Sequence, residues 1–329
     1  MNKKTKGWLL AAALMMIAGL ILFWGVVIAT DGGWERPISN EITTQTYDIT
    51  EAFHHISVET DADDVLLTYI PYVDSNDLLY AESMGVTCSE SENRSYSVSV
   101  ENDTLVIRLN DQRKWYDHIS LFSEAGSIII RLPEKEYGNL TIRGETSDIE
   151  IGKDFSFASV DVSVSTGDVY CYASVADNLR IHGSTGSVRV EDCTIRNLDV
   201  AVSTGKITVS NVHCGEDLSL DLDTGEAKVK DVLCKNLTST GSTGDLVLEN
   251  VSISEKLTAD RSTGDIQLDG VSAEEMELTT DTGDVSGHLS EEMIFFASSD
   301  TGDISVPQST TGGKCVITTD TGDIAITAP

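Results

Sequence analysis

The sequence is poor in aromatic and basic residues, and both shortages restrict what the protein can be. Aromatic side chains make up only 6% of the 329 residues, so a core built on large rings is not available. The chain has 22 Lys and Arg residues against 54 Asp and Glu residues, which gives a net charge of −32. A surface this acidic repels nucleic acid and anionic headgroups, and it suits cations, basic partners or a solvated exterior. We therefore predict that the protein binds no nucleic acid.

Proline and helical periodicity are also scarce. The chain has 5 prolines and 26 glycines, a composition that argues against proline-rich disordered chains and against collagen. After residue 30, no apolar pattern with a period of 3.6 residues extends over a useful length. The main part of the chain is therefore predicted to be all-β.

A long uncharged run lies close to the N-terminus. Residues 8–29 carry no charge, and Lys3, Lys4 and Lys6 precede them. A helix of this length spans roughly 30 Å of hydrocarbon, and lysines before the run place the N-terminus in the cytoplasm. We predict a single-pass cell-membrane protein with an extracellular domain: residues 1–30 form a cytoplasmic stub and anchor, and residues 31–45 a tether. The alternative is a signal peptide cleaved after residue 29.

The dipeptide Thr-Gly recurs at near-fixed intervals through the C-terminal half of the chain. Successive copies are 19 or 20 residues apart, and Ser or Asp always precedes the threonine. Apolar residues alternate with small or polar ones on both sides of each copy, as between Leu198 and Val209, which is typical of β-strands. The nine glycines are Gly167, Gly186, Gly205, Gly225, Gly244, Gly264, Gly283, Gly302 and Gly322.

A unit of this length cannot bury an apolar face alone, but stacked units close a continuous core. Residues 141–329 are therefore predicted to form a regular β-solenoid (β-helix) of about ten coils, with the glycines at corners where φ is positive. We expect the coils to stack in chain order, with the last coil at an exposed end. Residues 46–140 are predicted to be an irregular β portion that covers the first edge and contains a hairpin at Glu101–Thr104.

Six cysteines in an exported chain raise the question of disulfides. Cys193, Cys214 and Cys234 fall where other coils carry Val or Ile, so they are predicted to be small core residues. Neighbouring coils about 4.8 Å apart lie within the Cα range of a disulfide, but parallel Cβ directions disfavour the bond. We therefore expect the Cys214 and Cys234 thiols to be free.

From about Tyr47 to its end, the chain resembles a bacterial family of adhesin-type β-strand-repeat domains, classed as a domain of unknown function. The resemblance rests on the Thr-Gly-Asp coils and on four earlier segments, which are residues 56–58, 61–65, 128–133 and 137–142. It implies an envelope-exposed repeat domain that is often tethered to the membrane. It brings no catalytic residues with it.

The corners are acidic, which raises the question of a cation site. The residue after the glycine is acidic in seven of the nine coils, and the last three coils also have Asp before the threonine. Side chains about 4.8 Å apart repel by roughly 0.9 kcal/mol per pair in water, and Ca²⁺ would relieve this. The candidate weak calcium ligands are Asp281, Asp284, Asp300, Asp303, Asp320 and Asp323. The alternative, which we favour, is that these carboxylates bond local backbone N–H groups of the turns and are otherwise solvated.

The constant coil length argues against an enzyme, because catalytic β-helices need loop insertions that build a groove. We expect no cofactor apart from the weak calcium just described. A tethered, repetitive extracellular surface predicts an adhesin or surface binding module for an unknown extracellular protein or glycan. The alternatives are a cell-envelope stress sensor or scaffold, and an acidic cation-binding structural stalk.

Overall fold

The computed structural model describes residues 42–69, 84–91, 93–112 and 126–329. Residues from Thr43 to Pro329 form one compact unit. The predicted anchor at residues 8–29 and most of the predicted tether lie outside the described residues. Across the described ranges, no helix has both the length and the apolar character needed to cross a membrane.

The described residues form twenty-two β-strands. In chain order they are β1 (Thr43–Asp48), β2 (His55–Glu59), β3 (Asp64–Tyr69), β4 (Gly85–Glu90), β5 (Arg94–Glu101), β6 (Thr104–Asp111), β7 (Ser127–Leu132), β8 (Glu136–Thr146), β9 (Ile149–Ile151), β10 (Ser156–Thr166), β11 (Val169–Cys171), β12 (Ser174–Glu191), β13 (Thr194–Cys214), β14 (Asp217–Thr243), β15 (Leu246–Thr263), β16 (Ile266–Val271), β17 (Glu275–Thr282), β18 (Val285–Leu289), β19 (Met293–Thr301), β20 (Ile304–Ser305), β21 (Gly313–Thr321) and β22 (Ile324–Thr327).

Equivalent residues of successive coils pair in parallel and in register, which confirms a β-solenoid of about ten coils. Val200 of β13 pairs with Leu220 of β14, and Val209 pairs with Val229. All four side chains are buried because alternate residues of each strand face the axis of the stack. Apolar residues therefore form continuous columns, and no coil has a core of its own.

The first bend of each coil is the Thr-Gly corner. Its nine glycines have φ between 125° and 158°, which confirms the predicted positive values. Glycine is required here for a second reason as well, because the backbones of neighbouring coils approach closely. A Cβ atom on Gly244 would lie 1.8 Å from the carbonyl oxygen of Gly225, and one on Gly225 would lie 1.7 Å from that of Gly205.

Asp and Asn side chains join the coils at the two other bends, a feature that we did not predict. At the second bend, the Asn211 amide donates to the Asp192 carboxylate at 2.6 Å. At the third bend, the Asn236 amide donates to the Asp217 carboxylate at 2.8 Å. The second bend also has positive φ values without glycine, which Asp and Asn tolerate better than other residues. These residues are Asp192, Asn211, Asp231 and Asn250.

The expectation that coils stack in chain order is wrong at the C-terminal end. Strand β21 lies between β17 and β19, because Thr321 pairs with Thr282 on one side and with Thr301 on the other. The coil formed by β19 and β20 is therefore outermost, and the last coil of the chain lies inside the stack. The inner coil has the more apolar core, since its Ile317 pairs with Ala297 of the outer coil.

The N-terminal portion closes the opposite end of the stack. Strand β2 lies between β6 and β8. Strand β3 lies between β7 and β9. Strand β5 pairs antiparallel with β6 through the predicted hairpin, which is thereby confirmed, and β4 pairs antiparallel with β7. A buried ion pair ties β5 to the first coil: Arg94 Nη2 lies 2.6 Å from Asp63 Oδ2, and the Tyr96 hydroxyl donates to the same oxygen.

Replacing a corner glycine should destabilise the whole stack. We expect Gly244→Ala to lower the free energy of unfolding by about 2 kcal/mol or more, since it combines a φ of 125° with a backbone clash. The matched control is Gly183→Ala. Gly183 has no positive φ, and an added Cβ would meet nothing closer than 3.8 Å. Urea unfolding should show the control to be neutral or stabilised by up to about 1 kcal/mol, and equal losses would contradict this account of the corner.

Candidate functional site

The six acidic residues proposed as calcium ligands lie exposed on two neighbouring columns at the first bend. Asp281, Asp320 and Asp300 precede the threonines. Asp284, Asp323 and Asp303 follow the glycines. In both columns the residue from the chain's last coil is in the middle, because β21 and β22 are inserted between the other two coils.

The carboxylates after the glycines join consecutive coils. Asp284 Oδ1 accepts the backbone N–H of Asp323 at 2.7 Å, and Asp323 Oδ1 accepts that of Asp303 at 2.8 Å. The same bond recurs lower in the stack, where Asp245 Oδ1 accepts the N–H of Asp265 at 2.9 Å. We had favoured a bond to a local N–H group within the same turn. The structure corrects this, because each N–H belongs to the next coil.

Neighbouring coils are also joined where the residue after the glycine is not acidic, which is the case at Lys206 and Ser187. Lys206 and Glu226 occupy the same position in neighbouring coils, and Lys206 Nζ lies 2.5 Å from Glu226 Oε1. Ser187 has no carboxylate, but its N–H still donates to Asp168 Oδ1 at 2.7 Å. The carboxylates after the corner glycines thus join neighbouring coils through most of the stack.

No three or more His, Cys, Asp or Glu side chains come together in an arrangement that could hold a metal ion, as far as the described residues extend. One oxygen each of Asp284 and Asp323 is already engaged with a backbone N–H. Weak calcium binding at the corners stays a prediction, and the geometry does not favour it.

A concave surface lies on the face of the stack between the second and third bends, which we call the third face. It is an open groove of about 740 Å³ that crosses the coils of β13 to β17. Leu233, Ser252 and Ser272 lie in one column of its lining, and Cys234 and Ile253 lie in the next. The serines are small, so the surface is depressed beside Leu233, whose side chain is 51% exposed. We refer to this surface as the third-face groove.

The rim of the third-face groove is charged. Lys235 Nζ lies 3.4 Å from Glu216 and 3.6 Å from Glu255, and its pKa is raised chiefly by the hydrogen bond to Glu216. Glu274 and Glu291 line the other end of the groove. The groove therefore combines a partly apolar floor with one paired cation and several carboxylates.

The family of the chain follows from its sequence. Residues 80–216 and 214–329 match the profile of the Toastrack DUF4097 family, a domain of unknown function. The chain belongs to the Toastrack DUF4097 family. Among functionally curated proteins, none matches this Toastrack chain in sequence.

Solved structures that are similar to this Toastrack chain are distant from it. One is a putative lipid binding protein from Parabacteroides distasonis, with 14% identity, a TM-score of 0.47, and coverage of 87% of this chain and 97% of the other. A putative adhesin from the same organism has 12% identity, a TM-score of 0.42 and the same coverages, 87% and 97%. A putative adhesin from Bacteroides fragilis has 13% identity and a TM-score of 0.30, again over 87% and 97% of the two chains.

Sequence reasoning missed the third-face groove. It assigned Cys214 and Cys234 to the core but did not consider the outward-facing residues beside them. A signal was present, since Ser252 and Ser272 are small where the neighbouring coil carries Leu233. Which of these positions forms a depression depends on how the coils bend.

All six cysteines of the chain are buried and free, as expected for the Cys214 and Cys234 pair. Burial raises the pKa of the Cys171 and Cys234 thiols to about 12, against an ordinary value of 9.0. The pKa of Cys193 and that of Cys214 are also raised, chiefly by burial. These thiols are core side chains, and reactive thiolates are disfavoured.

Removing one carboxylate from the corner column should weaken the stack. We expect Asp284→Ala to lower the free energy of unfolding by about 1–3 kcal/mol, because it leaves the N–H of Asp323 without its acceptor. The matched control is Asp281→Ala, which removes an exposed carboxylate three residues away in the same coil. Urea unfolding combined with hydrogen exchange at the Asp323 amide should separate the two variants. Equal behaviour would show that the carboxylate acts only through its charge.

The thiols should stay protonated and unreactive in the folded protein. At pH 8, a thiol with a pKa near 12 is ionised in about one molecule in ten thousand, so Ellman's reagent should label the native protein very slowly. In concentrated guanidinium chloride all six should react quickly. Because the folded-state pKa is raised, stability should fall as the pH rises from about 9 towards 12. Rapid labelling of the native protein would contradict this prediction.

Proposed function

We propose that this protein is a non-enzymatic adhesin or surface binding module, which residues 8–29 anchor in the cell membrane and which binds an extracellular protein through the third-face groove. The anchor is supported by the uncharged run and the three lysines that precede it. The non-enzymatic role is supported by the use of the corner carboxylates in joining the coils.

The observation that carries the proposal is the exposed leucine beside the depression of the groove. Leu233 is 51% exposed, although single exposed leucines are ordinary on protein surfaces. Here the Leu233 side chain lines a concavity, so an apolar anchor from a partner that fills the depression at Ser252 and Ser272 would also bury the exposed part of Leu233.

The lining of the groove favours a protein ligand over a glycan. Among the described residues, the lining contains no Trp, Tyr or Phe on which a sugar ring could stack. It does contain the hydroxyl groups of Ser252, Ser254 and Ser272, which can bond the main-chain groups of a polypeptide. Carboxylates on the rim favour a partner that carries basic residues near its apolar anchor.

A cell-retention assay tests this function. Cells that produce the full chain are compared with otherwise identical cells that lack it, on surfaces coated with a panel of purified extracellular glycoproteins and polysaccharides. We expect the chain to increase retention on at least one protein surface. Leu233→Asp should abolish that increase, because it places a charge where an apolar anchor has to pack.

The matched control is Ile42→Asp, which makes the same kind of change at another exposed aliphatic residue, one that lines neither the groove nor the C-terminal end of the stack. It should leave retention unchanged, and surface labelling should confirm equal amounts of each variant on the cells. Equal retention by wild-type and Leu233→Asp cells would refute binding through the groove. Retention only on polysaccharide would show that the ligand is a glycan.

A further inference from the structure

The two ends of the stack are covered differently. At one end the outermost coil is β6 and β7, and the antiparallel strands β5 and β4 of the same chain pair with its outer side. Its core residues Leu105, Ile107, Ile128 and Ile130 are all 0% exposed. At the other end the outermost coil is β19 and β20. Among the described strands, β19 pairs only with β21 and β20 pairs only with β22.

The apolar core is open at this second end. Ile304 occupies the same column as Val285 and Ile324, which are both 0% exposed, yet Ile304 is 45% exposed. Phe295 is partly exposed in a column where Cys315 is 0% exposed. These side chains have the positions of core residues but no coil above them. We call the coil from Glu291 to Ser305 the open end.

The open end is also acidic and rich in hydrogen-bond acceptors. It carries four carboxylates, on Glu291, Glu292, Asp300 and Asp303, and it contains no Lys or Arg. In the coils below, each Asp carboxylate after a corner glycine accepts an N–H group from the coil above, as Asp323 does from Asp303. The Asp303 carboxylate has no such coil above it among the described strands. A second copy stacked on this end would bring like charges together, which disfavours self-association.

We propose that the open end binds an extended, basic peptide segment of another protein, which pairs antiparallel with β19 as β5 pairs with β6. Main-chain hydrogen bonds to the free edge of β19 would supply affinity, and alternate apolar side chains would cover Phe295 and Ile304. Lys or Arg side chains on the peptide would face Asp300 and Asp303. A parallel strand that followed the bend would need glycine at the corner, since even within the stack a Cβ on Gly302 would lie 2.0 Å from the carbonyl oxygen of Gly322.

The test uses the full chain in detergent micelles and a fluorescein-labelled peptide of ten residues that alternates valine and lysine. Fluorescence anisotropy should show saturable binding. A peptide that alternates valine and glutamate should bind at least about ten-fold more weakly, because its charges have the wrong sign. The valine–lysine peptide with N-methylated alternate backbone nitrogens should lose binding similarly, because it cannot pair with a strand edge.

Variants test whether the peptide binds at the open end. Asp300→Asn combined with Asp303→Asn should weaken binding by about ten-fold, and Ile304→Ser should also weaken it. The matched control, Glu150→Gln combined with Asp269→Asn, removes the same charge from exposed positions on coils away from the open end and should change binding less than about two-fold. Leu233→Asp should leave peptide binding unchanged, so failure of the groove proposal would not affect this one.

Two outcomes would overturn the proposal. Equal weakening by the double variant and its control would show that the peptide responds only to the overall negative charge. Concentration-dependent dimerisation in analytical ultracentrifugation, removed by Ile304→Ser, would show that a second copy of this chain occupies the open end.

Discussion

The architecture depends on the contact between stacked corner glycines. At every Thr-Gly corner after the first, the Cα of one glycine lies against the carbonyl oxygen of the glycine in the coil below, where a Cβ atom would come within about 2 Å of that oxygen, and at the first corner Gly167 lies in the same way against the carbonyl oxygen of Ser147. This contact sets how closely the coils approach, and it holds even where the coils are out of chain order, as for Gly283, Gly322 and Gly302. Because the glycine contact fixes the spacing and register of neighbouring coils at the corner, it also aligns the strands on either side, and their apolar residues stack in columns.

Most of the polar residues at the bends are part of the same stacking system. Carboxylates after the glycines accept N–H groups of the next coil, and alternating Asp and Asn residues join coils at the second bend. The lysines of the middle coils pair with Glu across coils, as Lys228 does with Glu249 and Lys256 with Glu277. The paired charges leave the middle of the stack closer to neutral, while the C-terminal coils keep unpaired carboxylates. An acidic composition is thus partly a consequence of how the bends are bonded.

The two proposed binding surfaces arise where this regularity is interrupted. The third-face groove forms where small serines replace larger outward residues beside Leu233. The open end forms because the chain covers one end of the stack with β5 and β4 and leaves the core column exposed at Ile304. A repeat that is perfectly regular offers the same surface at every coil, so specific recognition depends on such local differences.

The periodicity of the sequence was enough by itself to predict the fold and several of its local features. The 19- and 20-residue spacing and the alternation around Gly205 predict a β-solenoid, the positive φ of the corner glycines and the burial of Cys214 and Cys234, since all of these are properties of one coil and its immediate neighbours. Only the tertiary structure decided the order of the last two coils, because identical Thr-Gly corners fit in either order and the choice depends on burying Ile317 ahead of Ala297. It also decided that Asp284 bonds the coil above it, that Leu233 lies in a groove and that Ile304 is uncovered. Each of these outcomes depends on which coils are the neighbours of a given coil, and that order is determined by contacts between residues that are far apart along the chain.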